Sequence, residues 1–270
     1  MDVEEYNAER AVLVAALVDL FLKLFRPLRA PQIQPPEWAH LLDVLYPSVV
    51  QTRIKVAELS RRFYDSQREI SFPDQPRHDT MLPHYEPAWF REAMEPARRA
   101  LSQPGASDGA LSQGALRVAK EAENAGRRTI LRAVDSDPVV KGWARVATGR
   151  ETCGFCMMLV SRGPVYFSAE DAGLNLNDTS AAELWQLAES GDEESKVVMD
   201  QMMKRWHPGC DCAIVPVFDT RQWPGREDWK KAEQAWIKYT SGQSGLDALN
   251  AFRRAIDNGA LNPRDFAVAA

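Results

Sequence analysis

The chain has 270 residues, of which 45% are apolar and 26% are charged, and its formal net charge at pH 7 is −5. These proportions are ordinary for a globular protein and allow one or two domains with a buried core. The negative net charge makes the chain as a whole a poor electrostatic match for nucleic acid, and leaves room only for a local basic face.

The first predicted element is a helix over residues 5–27. Its apolar run, 11–25, is too short to span a bilayer and is interrupted by Asp19 and Lys23. The acidic residues before that run do not fit the basic start of a secretory leader. We expect an amphipathic helix packed inside the protein or against a partner. A helix on a membrane surface is the alternative, although such helices usually have a basic polar face.

The next segments continue the helical pattern. A second helix is predicted over 36–46, where Pro47 breaks it, and a third follows over 48–69. Residues 87–101 again have helical character. The stretch 102–114 is rich in Ser and Gly and is the best candidate for a linker.

A long helix should follow the linker, because apolar residues recur at spacings of four and three between Leu111 and Ala125. A shorter helical piece is predicted from Asp137 to Ala147. The long helix leans basic, so one face could contact phosphates, and a solvated face or an acidic protein partner is the commoner alternative. The candidate nucleic-acid residues are Arg117, Lys120, Arg127, Arg128 and Arg132.

The character of the sequence changes near residue 150. Residues 150–167 combine a turn, a short apolar run and a predicted strand. An acidic, helix-prone insertion follows over 168–203, and 207–218 ends in a second apolar strand. Two helices, over 227–240 and 246–257, are predicted for the tail.

All four cysteines of the chain lie in two short clusters, together with one histidine. The first cluster is Cys153-x-x-Cys156 and the second is His207-x-x-Cys210-x-Cys212. A C-x-x-C turn presents two thiolates to one tetrahedral ion, and the second cluster offers three further ligands. Five candidates for four positions leave one spare. The alternatives are two disulfides between the clusters, a thioredoxin-like redox pair, or cysteines that are simply small buried side chains.

The acidic insertion offers many carboxylates, but none of them lies in a catalytic pattern such as H-E-x-x-H or H-x-E. We therefore expect a closed, structural zinc site without catalytic residues. It would tie residues 150–167 to 205–218 and stabilise a β unit that is too small to be stable alone. The clustered thiols and the missing leader indicate a reducing compartment.

Two segments carry a family resemblance, WARVATGRETCGFCMMLVSRGPVY (143–166) and WHPGCDCAIVPVF (206–218). They resemble the phage Mu F-like minor head proteins, especially those of tailed phages of actinobacteria. The family usually has a shorter path between the two clusters, so the acidic insertion is a departure. The resemblance carries the family's Cys/His pattern over onto the five candidate ligands and brings no established catalytic residues.

The resemblance implies a minor capsid or head-morphogenesis protein. Such a protein is made in the host cytoplasm, associates with the portal and enters the prohead, and some members are linked to DNA ejection. We expect the partners to be portal, scaffold or major capsid protein, with DNA contact as a further option and no membrane. The alternatives are a capsid maturation protease and a DNA-binding internal head protein.

The sequence thus predicts a mainly α-helical protein with a small α+β metal-stapled module, long helices in the N-terminal half and a helical C-terminal tail. The predicted domains are an N-terminal helical region (1–104), a Mu F-like module (105–218) and the tail (219–270).

Overall fold

A computed structural model describes residues 1–28, 33–80, 85–103, 105–106, 108–148, 152–164, 206–210 and 212–267. The predicted insertion over 168–203 lies outside these residues. The described elements are α1 (Val3–Phe25), a 3-10 turn (Arg26–Leu28), α2 (Pro35–Ser71), α3 (Pro87–Leu101), α4 (Asp108–Ser136), β1 (Gly142–Val146), α5 (Gly154–Ser161), β2 (Ala213–Val217), α6 (Arg226–Thr240), α7 (Gly245–Asp257) and a last 3-10 turn (Pro263–Phe266). The predicted mainly helical fold is confirmed, with one small two-stranded sheet in the described part.

The chain divides into two compact units that are discontinuous in sequence. The helical unit consists of Ala8–Arg62 and Met81–Thr129, and the metal-site unit consists of Met1–Asn7, Phe63–Thr80 and Ile130–Ala270. This grouping differs from the three consecutive domains predicted from the sequence.

The helical unit has a core made by the apolar stripes of α1 to α4. The residues at its centre include Phe21, Phe25, Trp38, Leu45, Val49, Phe90, Met94 and Val118. The stripe predicted between Leu111 and Ala125 is buried throughout. Burial of large aromatic and aliphatic side chains, each worth roughly 1.5–3 kcal/mol, is the main force that stabilises this unit.

Helix α2 continues through Pro47, so the predicted break at this residue is wrong. A proline inside a helix removes one backbone hydrogen bond and costs about 3 kcal/mol. The residues on either side, Leu45 and Val49, are completely buried in the core, whereas Pro47 itself is exposed. Burial of these neighbours offsets the proline cost and holds the two predicted helices together as one.

The predicted linker over 102–114 is correct only in its first part, because α4 already begins at Asp108. An acidic first residue interacts favourably with the positive end of a helix. Gly114 lies inside α4 because of packing and not because of flexibility. A Cβ atom at this position would lie 2.7 Å from the Phe21 ring, so only glycine permits this close approach of α1 and α4.

The predicted helix from Asp137 to Ala147 is wrong, because residues Gly142–Val146 form strand β1. This strand pairs antiparallel with β2, with Ala144 opposite Val215. All its residues are buried, and the aromatic and β-branched side chains of Trp143 and Val146 favour a strand. Local sequence could not reveal this, since the pairing partner lies about 70 residues further along the chain.

The apolar run after Cys153 forms helix α5, whereas the sequence predicted only a turn, a short apolar run and a strand over 150–167 and no helix there. Short apolar runs do not distinguish a buried strand from a buried helix. Residues Phe155–Ser161 are buried all round, as expected for a helix enclosed by others. Its apolar side chains pack with residues of α6 and α7, among them Ala232 and Phe252.

The predicted second strand and the two predicted tail helices are confirmed. Strand β2 lies within the apolar run predicted over 207–218, and α6 and α7 match the two tail helices to within one residue at either end. Pro216 is tolerated in β2 because a two-stranded sheet leaves one edge of each strand without a ladder partner.

Candidate metal centre

Helix α5 places the first two cysteines. Cys153 is the N-cap residue of α5, and its sulfur accepts a hydrogen bond from the backbone N–H of Cys156, with N···S 3.4 Å. Cys156 lies in the first turn of the helix and is completely buried. The C-x-x-C spacing and the helix start therefore direct both sulfurs to the same place.

A tight turn places the second cluster. The backbone N–H of Cys210 donates to the carbonyl of His207 at 3.2 Å, and Gly209 adopts φ +81°, which favours glycine. Cys212 follows immediately before β2 and is completely buried. The pairing of β2 with β1 fixes the end of this segment.

The five candidate ligands meet in one cluster. The Nε2 atom of His207 lies 3.2 Å from the sulfur of Cys156 and 3.5 Å from that of Cys153. The sulfur of Cys210 lies 3.5 Å from that of Cys156 and 3.0 Å from that of Cys212. The ligand atoms form two groups of three that share Cys156. The structure therefore brings together all five residues predicted from the sequence.

Three of these four separations lie within about 0.4 Å of the edges of a tetrahedral coordination shell, and the Cys210–Cys212 separation of 3.0 Å is clearly shorter. Bonds of about 2.3 Å to sulfur and 2.0 Å to nitrogen imply about 3.8 Å between two sulfurs and 3.6 Å between sulfur and nitrogen. The donor set is also the one that soft and borderline metals prefer. The cluster can hold a metal ion. The four cysteines form no disulfide with one another in this structure.

Cys153 and His207 each shift the pKa of the other towards its charged form. The hydrogen bond with Cys156 lowers the pKa of Cys153 most strongly, and His207 lowers it further, to about 4. Burial alone would lower the pKa of His207, but the sulfurs of Cys153 and Cys210 outweigh burial and raise it to about 11. In the metal-free chain the two side chains form a thiolate–imidazolium pair. A metal ion would replace the proton on His207, because only neutral imidazole is a ligand.

The pKa of the Cys156 thiol is raised, whereas that of Cys153 is lowered. Hydrogen bonds with its sulfur neighbours, Cys153 first, raise its pKa, and complete burial adds to this effect. Three sulfur atoms this close cannot all carry a negative charge without a cation between them. The cluster therefore lacks the positive charge that would stabilise all its sulfurs as thiolates, and a divalent ion would supply that charge.

Two residues of this site, Arg145 and Trp206, were not predicted from the sequence. The guanidinium of Arg145 on β1 donates a hydrogen bond to the Cys212 sulfur at 3.3 Å and lies 4.4 Å from the Trp206 ring centroid. Both side chains are almost completely buried. The available signal was a single arginine inside an otherwise apolar strand, next to a tryptophan that precedes His207.

The five candidate nucleic-acid residues on α4 do not share one exposed face. Arg127 is buried and pairs with Glu123 at 2.9 Å. Arg117 and Lys120 are half-buried, and burial lowers the pKa of Arg117. Only Arg128 and Arg132 are exposed. A nucleic-acid contact at this helix stays a prediction that rests on two of the five residues.

The fold and the cluster define a mainly helical protein with a cysteine–histidine cluster that could hold a metal ion. The VG15 protein family matches residues 1–239, and the chain belongs to this family. The Gene 15 protein of Mycobacterium phage D29 is 40% identical over 273 residues, covering 95% of this chain and 98% of the relative. The Gene 15 protein of Mycobacterium phage L5 is 38% identical over 294 residues, covering both chains completely.

These relatives identify the chain as a phage protein. No solved structure matches it. In the part of the chain that the structure describes, no helix is both long and apolar enough to cross a bilayer.

Proposed function

We propose that this chain is a minor capsid or head-morphogenesis protein of a tailed phage. Its role is structural and not enzymatic, and it acts through contacts with portal, scaffold or major capsid protein. It is made in the host cytoplasm and becomes part of the prohead and virion. The family membership supports the phage setting, and the resemblance to Mu F-like minor head proteins supports the role in the head.

One observation carries the proposal. The two segments that resemble Mu F-like proteins are about 40 residues apart in the sequence, and they meet in the fold. Strand β1 precedes the first cluster, β2 follows the second, and the two strands pair with Gly142 opposite Val217 and Val146 opposite Ala213. Their Cys and His side chains then gather in one cluster. The resemblance therefore corresponds to a single folded centre.

The chemistry that fits this centre is a structural zinc ion. The sulfurs of Cys156, Cys210 and Cys212 are buried, so little room is left for the open coordination position of a catalytic site. Zinc favours tetrahedral sites of thiolate and imidazole ligands. Bound there, it would hold the turn at His207 against the start of α5, which adds folding free energy to the unit that contains them.

The test is to follow the protein through head assembly. Proheads and virions are purified from cells infected with wild-type phage and with phage in which the gene carries an amber codon. We expect the protein in both particles, at a fixed ratio to the portal, and defective or non-infectious heads from the amber phage. Normal infectious particles that lack the protein would overturn the proposal.

The same infections test the alternative that the chain is a capsid maturation protease. A capsid maturation protease would leave the major capsid protein uncleaved when the gene carries the amber codon. We expect the electrophoretic mobility of the major capsid protein to be unchanged, because a structural role does not require cleavage.

A further inference from the structure

The metal cluster contains five candidate ligands, but a tetrahedral ion takes four. We propose that Cys153, Cys156, His207 and Cys210 bind the metal, and that Cys212 is a thiol outside the coordination shell, held by Arg145. This assignment rests on the structural metal site proposed above and adds to it the identity of the ligands and a positioning residue.

The first pair of ligands follows from the start of α5. The backbone N–H of Cys156 points at the Cys153 sulfur, with N···S 3.4 Å. A hydrogen bond of this kind stabilises a thiolate without occupying all its lone pairs, so the sulfur remains available to a cation. Cys156 belongs to both groups of three ligand atoms, so its sulfur lies within 4.8 Å of the ligand atom of every other candidate.

His207 is oriented as a ligand. Its Nε2 atom lies 3.2 and 3.5 Å from the sulfurs of Cys156 and Cys153. Its other ring nitrogen, Nδ1, lies 3.0 Å from the carbonyl oxygen of Pro208. Metal-binding histidines usually donate one ring N–H to a carbonyl in this way, which leaves the opposite nitrogen for the ion.

Cys210 completes the set. Its sulfur lies 3.5 Å from that of Cys156, near the edge expected for two thiolates on one zinc ion. The Cys210–Cys212 separation of 3.0 Å departs most from that edge. The Cys210 sulfur also interacts with His207, whereas the Cys212 sulfur is grouped only with those of Cys156 and Cys210.

Arg145 supplies the charge that matches this set. Zinc with three thiolates and a neutral imidazole carries a net charge of −1, whereas four thiolates would carry −2. Arg145 is only 2% exposed, and a buried guanidinium requires negative charge nearby. Its hydrogen bond to Cys212, at 3.3 Å, links that charge through Cys210 to the metal.

Arg145 therefore acts as a positioning residue. Its guanidinium lies over the Trp206 ring, and Trp206 is the residue before His207. One side chain thus contacts both ends of the second cluster, Trp206 and Cys212, and fixes the turn between them. Such supporting residues typically change metal affinity about 10–100-fold when they are removed.

The experiment compares two cysteines on the same segment, two residues apart. Zinc affinity of the full-length chain is measured by competition with a chromophoric chelator, for the wild type, Cys212→Ala and Cys210→Ala. We expect one zinc per wild-type chain, a change of less than about tenfold for Cys212→Ala, and a loss of at least about a thousandfold for Cys210→Ala. Cys212→Ser, which keeps a hydroxyl for Arg145, replaces the alanine variant if that variant fails to fold.

Cobalt substitution then reports on the ligands independently of folding. The thiolate-to-cobalt absorption of Cys212→Ala or Cys212→Ser should equal that of the wild type. In Arg145→Met we expect the same absorption with zinc affinity about 10–100-fold weaker. A wild-type chain that binds zinc, together with a Cys212 variant that loses it, would overturn the ligand assignment alone. A wild-type chain that binds no zinc would overturn the proposed metal site, and the assignment with it.

Discussion

The helical unit and the metal-site unit have different kinds of core. In the helical unit, long amphipathic helices bury a continuous set of large side chains such as Phe21, Leu45 and Phe90. The metal-site unit also buries large apolar side chains, such as Trp143, Ile214 and Phe252, and in addition contains a cluster of Cys and His. Both units are stabilised by apolar burial, and a metal ion at the Cys/His cluster would add a contribution that the helical unit does not have.

The largest expected effect comes from removal of the sulfur that both ligand groups share. Cys156→Ser should weaken zinc binding at least about a thousandfold, which corresponds to about 4 kcal/mol. Hydrogen exchange should increase over 152–164 and 212–217, because those segments lose their common anchor. Exchange over 42–60 in the helical unit should stay unchanged. Equal protection of the metal-site segments in variant and wild type would contradict the contrast between the units.

The converse variant weakens the helical unit. Phe21 is completely buried and its ring stacks on Phe25 with centroids 4.4 Å apart. Phe21→Ala should destabilise this unit by about 3–5 kcal/mol through lost burial and the cavity left behind. Zinc content should stay at one ion per chain in native conditions. Chemical denaturation, with zinc release followed in parallel, measures the stability of the helical unit and the zinc content. Loss of zinc together with helix unfolding would show that the two units are not stabilised independently.

A buried ion pair gives the metal-site unit a pH dependence of its own. Asp137 is completely buried and accepts hydrogen bonds from Arg68 at 2.6 Å and Tyr64 at 2.9 Å. Burial alone would raise the pKa of Asp137, but these bonds outweigh it and hold the pKa below 3.8. Because the folded pKa is depressed, the stabilisation is complete above the unfolded pKa and is lost as pH falls through the folded value.

Asp137→Asn should therefore cost about 2–3 kcal/mol at pH 7, since Arg68 is left buried without its countercharge. The difference in unfolding free energy between wild type and variant should shrink below about pH 4. Urea denaturation at a series of pH values measures it. A difference that stays constant down to pH 2 would show that the carboxylate is not the stabilising group.

A smaller effect is expected where the sheet meets α6. Gly225 has φ +88°, and a Cβ atom there would lie 2.4 Å from a methyl group of Val146. Gly225→Ala should destabilise the metal-site unit by about 2 kcal/mol through strain and overlap. Gly242→Ala is the matched control, because φ is +75° and the space around it is open. In Gly242→Ala, backbone strain alone should cost about 1 kcal/mol. If thermal unfolding shows the same loss of stability for both variants, overlap with Val146 does not contribute at Gly225.

The smallest effect has the opposite sign. Pro47 is exposed in the middle of α2. Pro47→Ala should stabilise the helical unit by about 1 kcal/mol, because the alanine N–H can restore the missing backbone hydrogen bond. The melting temperature measures this, with zinc affinity as the property that should not change. A lower melting temperature would mean that the proline bend itself is needed for packing.

Several features could be predicted because their signals are local. The helical stripe between Leu111 and Ala125 repeats at the helical period, and the two tail helices are bounded by turn residues. The metal cluster was also predictable, since all four cysteines and one histidine lie in two short motifs. Chemistry that depends on residue type at short spacing can be read without coordinates.

Other features depended on partners that lie far away in the sequence. Strand β1 was mistaken for a helix because β2, which supplies its hydrogen bonds, begins at Ala213. Helix α5 was not predicted, because a short apolar run does not distinguish a helix from a strand. Arg145 could not be assigned to the metal cluster, since its contacts with Cys212 and Trp206 exist only once the sheet has formed.

The sequence by itself determined which residues are able to bind a metal and which helices have an apolar face, because both are properties of residue type and short spacing. Tertiary structure decided that Pro47 does not end a helix, that β1 is a strand, and that a buried arginine faces the sulfur cluster. Each of these outcomes depends on burial or on a hydrogen-bond partner distant in sequence, and such energies arise only when the chain is folded.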